Sequence, residues 1–378
     1  MTLAVITGTR PEIIKLFPLM RLLDINGIDY KYIHTGQHHD YVLSLKFIEE
    51  FKIRKPDYNI NLKSRSNSII QFSEIITKIN NILQKFKPSL VIVQGDTNSV
   101  AASALAASKC NIPIAHVEAG LRSEDWRMAE ELNRKIVDHM SHILFAPTVE
   151  SASNLNSEHV HGDIHVVGNT VMDAVKLCLD LNNNNNNKDK LDYNIRPKKR
   201  NNTDFVLVTL HRQENVDNRD FLKQVLTALA ESGLSCIFPL HPRTLKRINE
   251  FGLEDLITRE IQVIEPLGYF DFLRLLKICR FVITDSGGIQ EEITFPQINK
   301  HALVLRRSTE RPESIKSGHT VLCQDQDHYS ILQEIKKIKA MQPADNVCPY
   351  GYGNSAQEIV KILVNNTYYI TKPKIAMA

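Results

Sequence analysis

Short apolar runs rich in Val, Ile and Leu alternate along the chain with longer stretches whose apolar positions recur at helical spacing. The runs at residues 3–7, 30–34, 90–93, 112–117, 143–146 and 165–167 predict strands covered on both faces, the pattern of a parallel sheet. Helical spacing over residues 13–23, 42–51, 69–86, 101–108, 128–134 and 171–181 places helices between them. Pro11 suits the first turn of the first of these helices. The polar stretch 62–67 reads as a mobile loop. Together these elements predict a six-stranded, doubly wound domain of about 170 residues.

The alternation restarts with runs at 204–210, 236–240, 262–264, 281–284 and 302–305 and a helix near 271–278, which predicts a second doubly wound domain. Between the two lies a polar segment, 182–203, that opens with six consecutive asparagines and cannot bury enough surface to order itself. Helical apolar spacing at 352–365 predicts a last helix that packs back on the first domain. The expected fold class is α/β, with two Rossmann-like domains at 1–175 and 204–351, a linker at 176–203, and a central cleft that the two domains face.

Composition narrows the function classes. At 378 residues the chain is long for one core, and 43% apolar with 24% charged residues is ordinary for globular domains. A net charge of +3 gives no electrostatic footprint for nucleic acid, and the basic run 196–200 falls in the linker. No apolar run approaches the roughly 20 residues that span a bilayer. The chain enters a strand directly after Met1, without a basic leader. Its six cysteines show no Cys-x-x-Cys spacing, so a reducing, cytoplasmic setting is expected. His159, His161 and His165 form a His-rich stretch with no acidic ligand set, and no metal is expected. Ser286 lacks the Gly-x-Ser-x-Gly elbow of a hydrolase nucleophile.

The candidate chemistry gathers at one kind of place. Arg10, Gln37, Asp96, Glu118, His211, His241, Ser286 and Arg311 all fall just beyond the carboxyl ends of predicted strands, the edge where open α/β sheets bind ligands. Lys15 follows one turn into the first helix, and Glu130 and Arg134 lie one turn apart on one helix face, a spacing that also suits a surface salt bridge. In Phe281-Val-Ile-Thr-Asp-Ser-Gly-Gly-Ile-Gln-Glu-Glu292 a buried strand runs into a Ser286-Gly287-Gly288 turn at a helix start, which suits a phosphate. Glu291 and Glu292, about one turn into that helix, offer carboxylates that suit the hydroxyls of a ribose. Arginines and glycine amides suit a diphosphate, and grouped carboxylates suit proton transfer.

These residues also carry a resemblance. Gly8-Thr-Arg-Pro-Glu-Ile-Ile-Lys15, Gln94-Gly-Asp-Thr97, His116-Val-Glu-Ala-Gly-Leu-Arg122, Glu130-Glu-Leu-Asn-Arg134, Gly168-Asn-Thr170, Thr209-Leu-His-Arg212, Thr284-Asp-Ser-Gly-Gly-Ile-Gln-Glu-Glu292 and Thr309-Glu-Arg-Pro-Glu313 resemble, in order, the motifs of the non-hydrolysing UDP-N-acetylglucosamine 2-epimerases. The resemblance implies a two-domain fold similar to that of GT-B glycosyltransferases and interconversion of UDP-N-acetylglucosamine and UDP-N-acetylmannosamine without a redox cofactor. It implies catalytic roles for Asp96, Glu118, Glu130 and His211, and diphosphate contacts from Arg10 and Ser286-Gly287-Gly288. It further implies a ribose contact from Glu292, a uracil-side contact from Phe272, and further active-site roles for Lys15, Arg134 and Arg311. Gln37 and His241 join the expected substrate contacts from their strand-end positions. The chain departs from the family pattern at Ala129, where Pro is usual, at Arg306-Arg307, where Arg-Asp is usual, and in the absence of Gly-Lys-Pro from 294–301.

The implied chemistry removes the C2 proton together with loss of UDP from C1, giving a 2-acetamidoglucal to which UDP adds back. Three alternatives stand beside it: a hydrolysing relative that releases free N-acetylmannosamine, a 2-epimerase of a related UDP-diacetamido sugar, and a UDP-sugar-binding regulator without turnover. The expected partner is a UDP-sugar, with neither nucleic acid nor membrane, and the expected assembly is a homodimer.

Overall fold

A computed structural model describes residues 2–37, 51, 53–60, 62, 67–184 and 204–365. Residues 42–50 of the helix expected at 42–51, most of the loop at 62–67 and the segment 185–203 lie outside them. The chain divides into two compact units, Met1–Leu177 with Tyr350–Ala378, and Cys178–Pro349.

In the first unit, strands β1 (Leu3–Thr7), β2 (Tyr30–His34), β3 (Tyr58–Asn59), β4 (Leu90–Gln94), β5 (Ile114–Val117), β6 (Ile143–Ala146) and β7 (Asp163–Val166) form one parallel sheet in the order β3-β2-β1-β4-β5-β6-β7. Every residue of β1, β4, β5 and β6 is buried, as their largely apolar composition requires of strands with helices on both faces. The edge strand β7 is partly exposed. Helix Ser68–Phe86 buries Gln71, Ile75, Ile79 and Leu83, a single stripe at four-residue spacing. Helix Asn98–Lys109 instead buries Ala101, Ala102, Ala104, Ala106 and Ala107, small side chains that let it lie close to its neighbours. The sheet has seven strands where the alternation predicted six, because Tyr58–Asn59 is too short to leave a periodic signal.

In the second unit, β8 (Val206–Thr209), β9 (Cys236–Pro239), β10 (Ile261–Ile264), β11 (Val282–Thr284), β12 (Ala302–Val304) and β13 (Thr320–Leu322) form a parallel sheet in the order β10-β9-β8-β11-β12-β13. The sixth strand, β13, is again a three-residue edge that the sequence pattern missed. Helix Arg219–Glu231 buries Phe221, Leu222, Val225, Leu226 and Leu229 in the core beside these strands.

Both sheets wind in two directions from a central pair. In the first unit the reversal falls between β1 and β4, and in the second between β8 and β11. At such a switch point the connections leave to opposite faces and open a crevice beyond the strand ends. The residues at those ends are Gly8-Thr9-Arg10 and Gly95-Asp96-Thr97 in one unit, and Leu210-His211-Arg212 and Asp285-Ser286-Gly287 in the other.

Candidate active site

One buried carboxylate braces each switch point. In the first unit it is Glu12, which the sequence pattern had left without a role. One of its oxygens accepts the Gly8 amide at 2.6 Å, and the other accepts the Thr9 and Thr97 hydroxyls at 2.8 Å each. The turn that carries Arg10 is thereby tied to the turn that carries Asp96. Burial pushes the Glu12 carboxyl up to about 7, against the lowering effect of its three hydrogen bonds. The signal was present, since Thr9-Arg-Pro-Glu12 is a capping box pattern. The structure varies it: Thr9 is the N-cap of helix Arg10–Ile25, but its hydroxyl donates to Glu12 rather than accepting from the helix.

In the second unit the brace is Asp285, fully buried between the end of β11 and Ser286. Its oxygens accept the His211 amide at 3.2 Å, the Arg212 amide at 3.0 Å and the Asn215 side chain at 3.1 Å, and one lies 3.2 Å from His211 Nδ1. Backbone and ring of His211 are both oriented by this single group, while its side chain stays 46% exposed and open to a ligand.

The expected acid/base groups of the first unit sit in three different environments, two just beyond strand ends and one at a helix start. Asp96 follows β4 and is held by Arg134, whose Nε and Nη2 reach Oδ2 at 2.9 and 2.8 Å. Glu118 follows β5 with φ at 69°, a left-handed conformation that costs a residue with a side chain about 1 kcal/mol or more. Its carboxylate is fixed by the buried Lys15 ammonium and by Asn169 Nδ2 at 2.8 Å. Glu130, the second residue of helix Ala129–Met140, is half-buried and carries no hydrogen bond or ion pair among the described residues.

The adjacent Glu131 explains this division. It is fully buried, accepts the Ser123 amide and hydroxyl at 3.0 and 2.9 Å, and pairs with Arg134. Of the Glu-Glu pair, the inner member anchors the preceding loop and the outer one faces away from those bonds. Arg134 therefore pairs with Asp96 and Glu131, and the surface salt bridge that the Glu130–Arg134 spacing allows is not among its contacts here.

Gln37 lies on the same edge, but its side-chain oxygen accepts the Ser99 amide at 2.8 Å and its own amide donates to Gly8 at 3.0 Å. The structure thus gives Gln37 a bracing position beside Gly8. Arg10 is the first residue of its helix.

The Ser286-Gly287-Gly288 turn departs from expectation in its mechanics. Neither glycine adopts a positive φ, so the sharp turn is made without the left-handed conformation that glycine favours. The two differ in what a Cβ would meet. At Gly287 it would lie 2.5 Å from Arg311 Nη1 and 2.8 Å from Glu310 Oε1, whereas at Gly288 nothing stands within 4 Å. Gly287 makes room for a buried ion cluster in which Arg311 meets Glu291 through Nε at 2.9 Å and Glu310 through Nη1, Glu310 itself lying 2.8 Å from Arg306. Gly288 faces open space. The Ser286 side chain does not cap helix Gly287–Glu292.

Arg311 is accordingly built into this cluster at the start of helix Pro312–Lys316. Glu292 is buried and accepts the Tyr269 hydroxyl at 2.7 Å, which fixes its carboxylate from helix Tyr269–Ile278. Phe272, on the same helix, is half-buried. His241 is the N-cap of helix Pro242–Glu250, its Nδ1 accepting the Arg243 amide at 3.3 Å, so that its hydrogen resides on Nε2. Among the described residues no group of three or more His, Cys, Asp or Glu side chains is placed to hold a metal ion, and no helix is long and apolar enough to cross a membrane.

The family model described as UDP-N-acetylglucosamine 2-epimerase matches residues 21–364. The chain belongs to the UDP-N-acetylglucosamine 2-epimerase family. Within the family it is 41% identical to the UDP-N-acetylglucosamine 2-epimerase of Methanocaldococcus jannaschii, covering 97% of this chain and all of that protein. It is 42% identical to the enzyme of the same name from Methanococcus maripaludis, over 96% of this chain and 98% of that one. The crystal structure of the Methanocaldococcus jannaschii UDP-GlcNAc 2-epimerase in complex with UDP-GlcNAc and UDP superposes with a TM-score of 0.88 at 40% identity, covering 97% of this chain and 100% of that one.

Proposed function

We propose that the chain is a non-hydrolysing UDP-N-acetylglucosamine 2-epimerase, which interconverts UDP-N-acetylglucosamine and UDP-N-acetylmannosamine in the cytoplasm as a homodimer. The observation that carries the reading is the first unit's three carboxylates, two at strand carboxyl ends and one at a helix start, each in a different electrostatic setting, in a chain of this family. Direct inversion at C2 needs a strong base, because the C2 hydrogen is only weakly acidic. Loss of UDP in the same step removes that need: the C2–H electrons form the C1=C2 bond, the C1–O electrons leave with UDP, and the proton passes to a carboxylate. A proton returned to the other face of C2, with UDP adding again at C1, completes the inversion.

In this reading Asp96, Glu118 and Glu130 share the two proton transfers. Arg134 and Lys15 hold Asp96 and Glu118 in place, and Glu130 keeps both oxygens open to substrate. Arg10 and the Ser286-Gly287-Gly288 turn take the diphosphate, whose departing charge His211 supports, and Arg311 is a further basic residue of the site. Glu292 takes the ribose and Phe272 the uracil side, with Gln37 and His241 as further contacts. The exposed Ile69 and Ile70, 80% and 51% accessible, support a subunit contact, and light scattering that returns the mass of one chain would remove the dimer from the reading.

Proton NMR of the purified protein with UDP-N-acetylglucosamine in D2O tests the activity. The expected outcome is an equilibrium of both UDP-sugars with deuterium at C2 of each. Asp96→Asn, Glu118→Gln and Glu130→Gln should each reduce turnover roughly a hundredfold or more while UDP still binds. Accumulation of free N-acetylmannosamine and UDP would assign the chain to hydrolysis instead, and unchanged substrate would leave it a binding protein. Full activity in all three variants would overturn the roles.

A further inference from the structure

Behind the acid/base edge of the first unit lies a fully buried pair that the proposed reaction leaves unused, His116 on β5 and Asp138 on helix Ala129–Met140. His116 Nδ1 lies 2.7 Å from Asp138 Oδ1, and His116 Nε2 lies 2.8 Å from the Gly95 carbonyl oxygen. The second Asp138 oxygen accepts the Gly120 amide at 3.2 Å and stands 2.8 Å from Arg122 Nη1. Arg122 is closed off in turn by Glu158 at 2.7 Å.

Three connections leave this pair toward the acid/base groups. Gly95 directly precedes Asp96, and Gly120 follows Glu118 by two residues. Asp138 shares its helix with Glu130 and with Arg134, the residue that grips Asp96. Gly95 and Gly120 both have φ at 84°, so the backbone turns sharply at each anchored point. Gly120 is moreover packed so that a Cβ would meet the Ser151 carbonyl at 2.3 Å, which leaves the loop no lateral play on that side. A core histidine satisfied for packing alone needs one partner for each nitrogen. Here both partners are themselves tied to the acid/base groups: the Asp138 carboxylate also takes the Gly120 amide, and the Gly95 carbonyl directly precedes Asp96.

We propose that the His116–Asp138 pair is the positioning device of the proposed epimerisation. It holds Asp96, Glu118 and Glu130 in mutual register from behind, through the Gly95 carbonyl, the Gly120 amide and the helix that Asp138 shares with Glu130. The inference rests on the proposed function for its kinetic part and on the fold alone for its mechanical part.

The test uses the full chain carrying His116→Gln or Asp138→Asn, beside the parent and an Ile79→Ala variant that opens a cavity in helix Ser68–Phe86 as a stability control. Amide hydrogen exchange over 95–97 and 118–120 is measured in all four, together with kcat, KM and the C2-deuterium isotope effect on epimerisation. Both pair variants should exchange faster in these two loops, lose at least tenfold in kcat with KM within about twofold, and show a larger isotope effect as proton transfer becomes limiting. The Ile79→Ala protein should lose thermal stability and keep the parent's isotope effect and kcat per folded molecule. Unchanged exchange in both loops overturns the proposal whatever the activity. Unchanged kcat and isotope effect in variants of an active parent overturns it as well, leaving the pair a core contact. A parent that does not epimerise would refute the proposed function, and the positioning role would then be decided by the exchange data.

Discussion

Gly287 and Gly288 are neighbours in one turn, yet the structure assigns them opposite responses to the same added methyl group. A Cβ on Gly287 would lie 2.5 Å from Arg311 Nη1 and 2.9 Å from its Cζ. Ordinarily the far end of an arginine swings aside cheaply. This one is 5% exposed and clamped between Glu291 and Glu310, so it cannot move without disturbing a buried ion cluster. Gly287→Ala should therefore destabilise by about 1–3 kcal/mol if the cluster shifts as a body, rising to about 3–5 kcal/mol if Arg311 is expelled and the acids are left unpaired. Gly288→Ala meets nothing within 4 Å and replaces glycine inside a helical turn, which leaves stability unchanged or raises it by up to about 1 kcal/mol. Urea denaturation followed by circular dichroism separates the two. Calorimetry with UDP then isolates the ligand: Gly288→Val should weaken UDP binding at least tenfold, a cost of about 1.4 kcal/mol, without the loss of stability seen at Gly287. Parental stability in Gly287→Ala would refute the packing argument, and parental UDP affinity in Gly288→Val would remove the diphosphate from this turn.

Glu12 predicts a pH dependence. Its carboxyl titrates at about 7 in the folded chain against 4.5 when unfolded. Below 4.5 both states hold the proton and there is no effect; between 4.5 and 7 the native state holds it and the unfolded state does not. Stability therefore falls as pH rises through this window, by about 3 kcal/mol from this group, and Glu12→Gln should flatten that slope in urea titrations between pH 5 and 8. A slope unchanged in the variant would show that the folded carboxyl is already ionised at the lower pH. Asp173 accepts the Ser355 and Ala356 amides at 3.1 and 3.0 Å, capping helix Ser355–Asn365 from a distant part of the chain. Asp173→Ala should cost about 1–2 kcal/mol and raise amide exchange over 355–360, and unaltered exchange there would dissociate the cap from the order of the helix.

The residues legible in the sequence are those whose placement follows from strand ends alone. Arg10, Asp96, Glu118, His211 and Ser286 were all assigned by the rule that chemistry collects at carboxyl edges, and each stands on one. What the pattern could not supply is the partner of each charge. Glu130 and Glu131 are adjacent and chemically identical, and only the return of the 123–124 loop decides that Glu131 is consumed as an anchor. Glu12, Asp285, His116 and Asp138 stayed unassigned because a buried polar residue inside an apolar run carries no periodic signal, and its value lies in contacts up to 85 positions away in sequence. The strands β3 and β13 escaped for the converse reason, two and three residues being too few to repeat the pattern that would announce them.

The cap that Asp173 places on Ser355–Asn365 also has a consequence during synthesis. The first unit is discontinuous: residues up to 177 must await a helix encoded beyond 349, while the second unit is one uninterrupted stretch. A chain emerging from the ribosome at about 5–20 residues per second exposes that stretch whole before the last helix of the first unit exists. For roughly ten seconds or more at these rates, the Asp173 carboxylate and the apolar surface that later receives Ile359 and Leu363 stand uncovered. Nascent chains stalled before residue 350 should accordingly be held by chaperones through the older unit rather than the younger one.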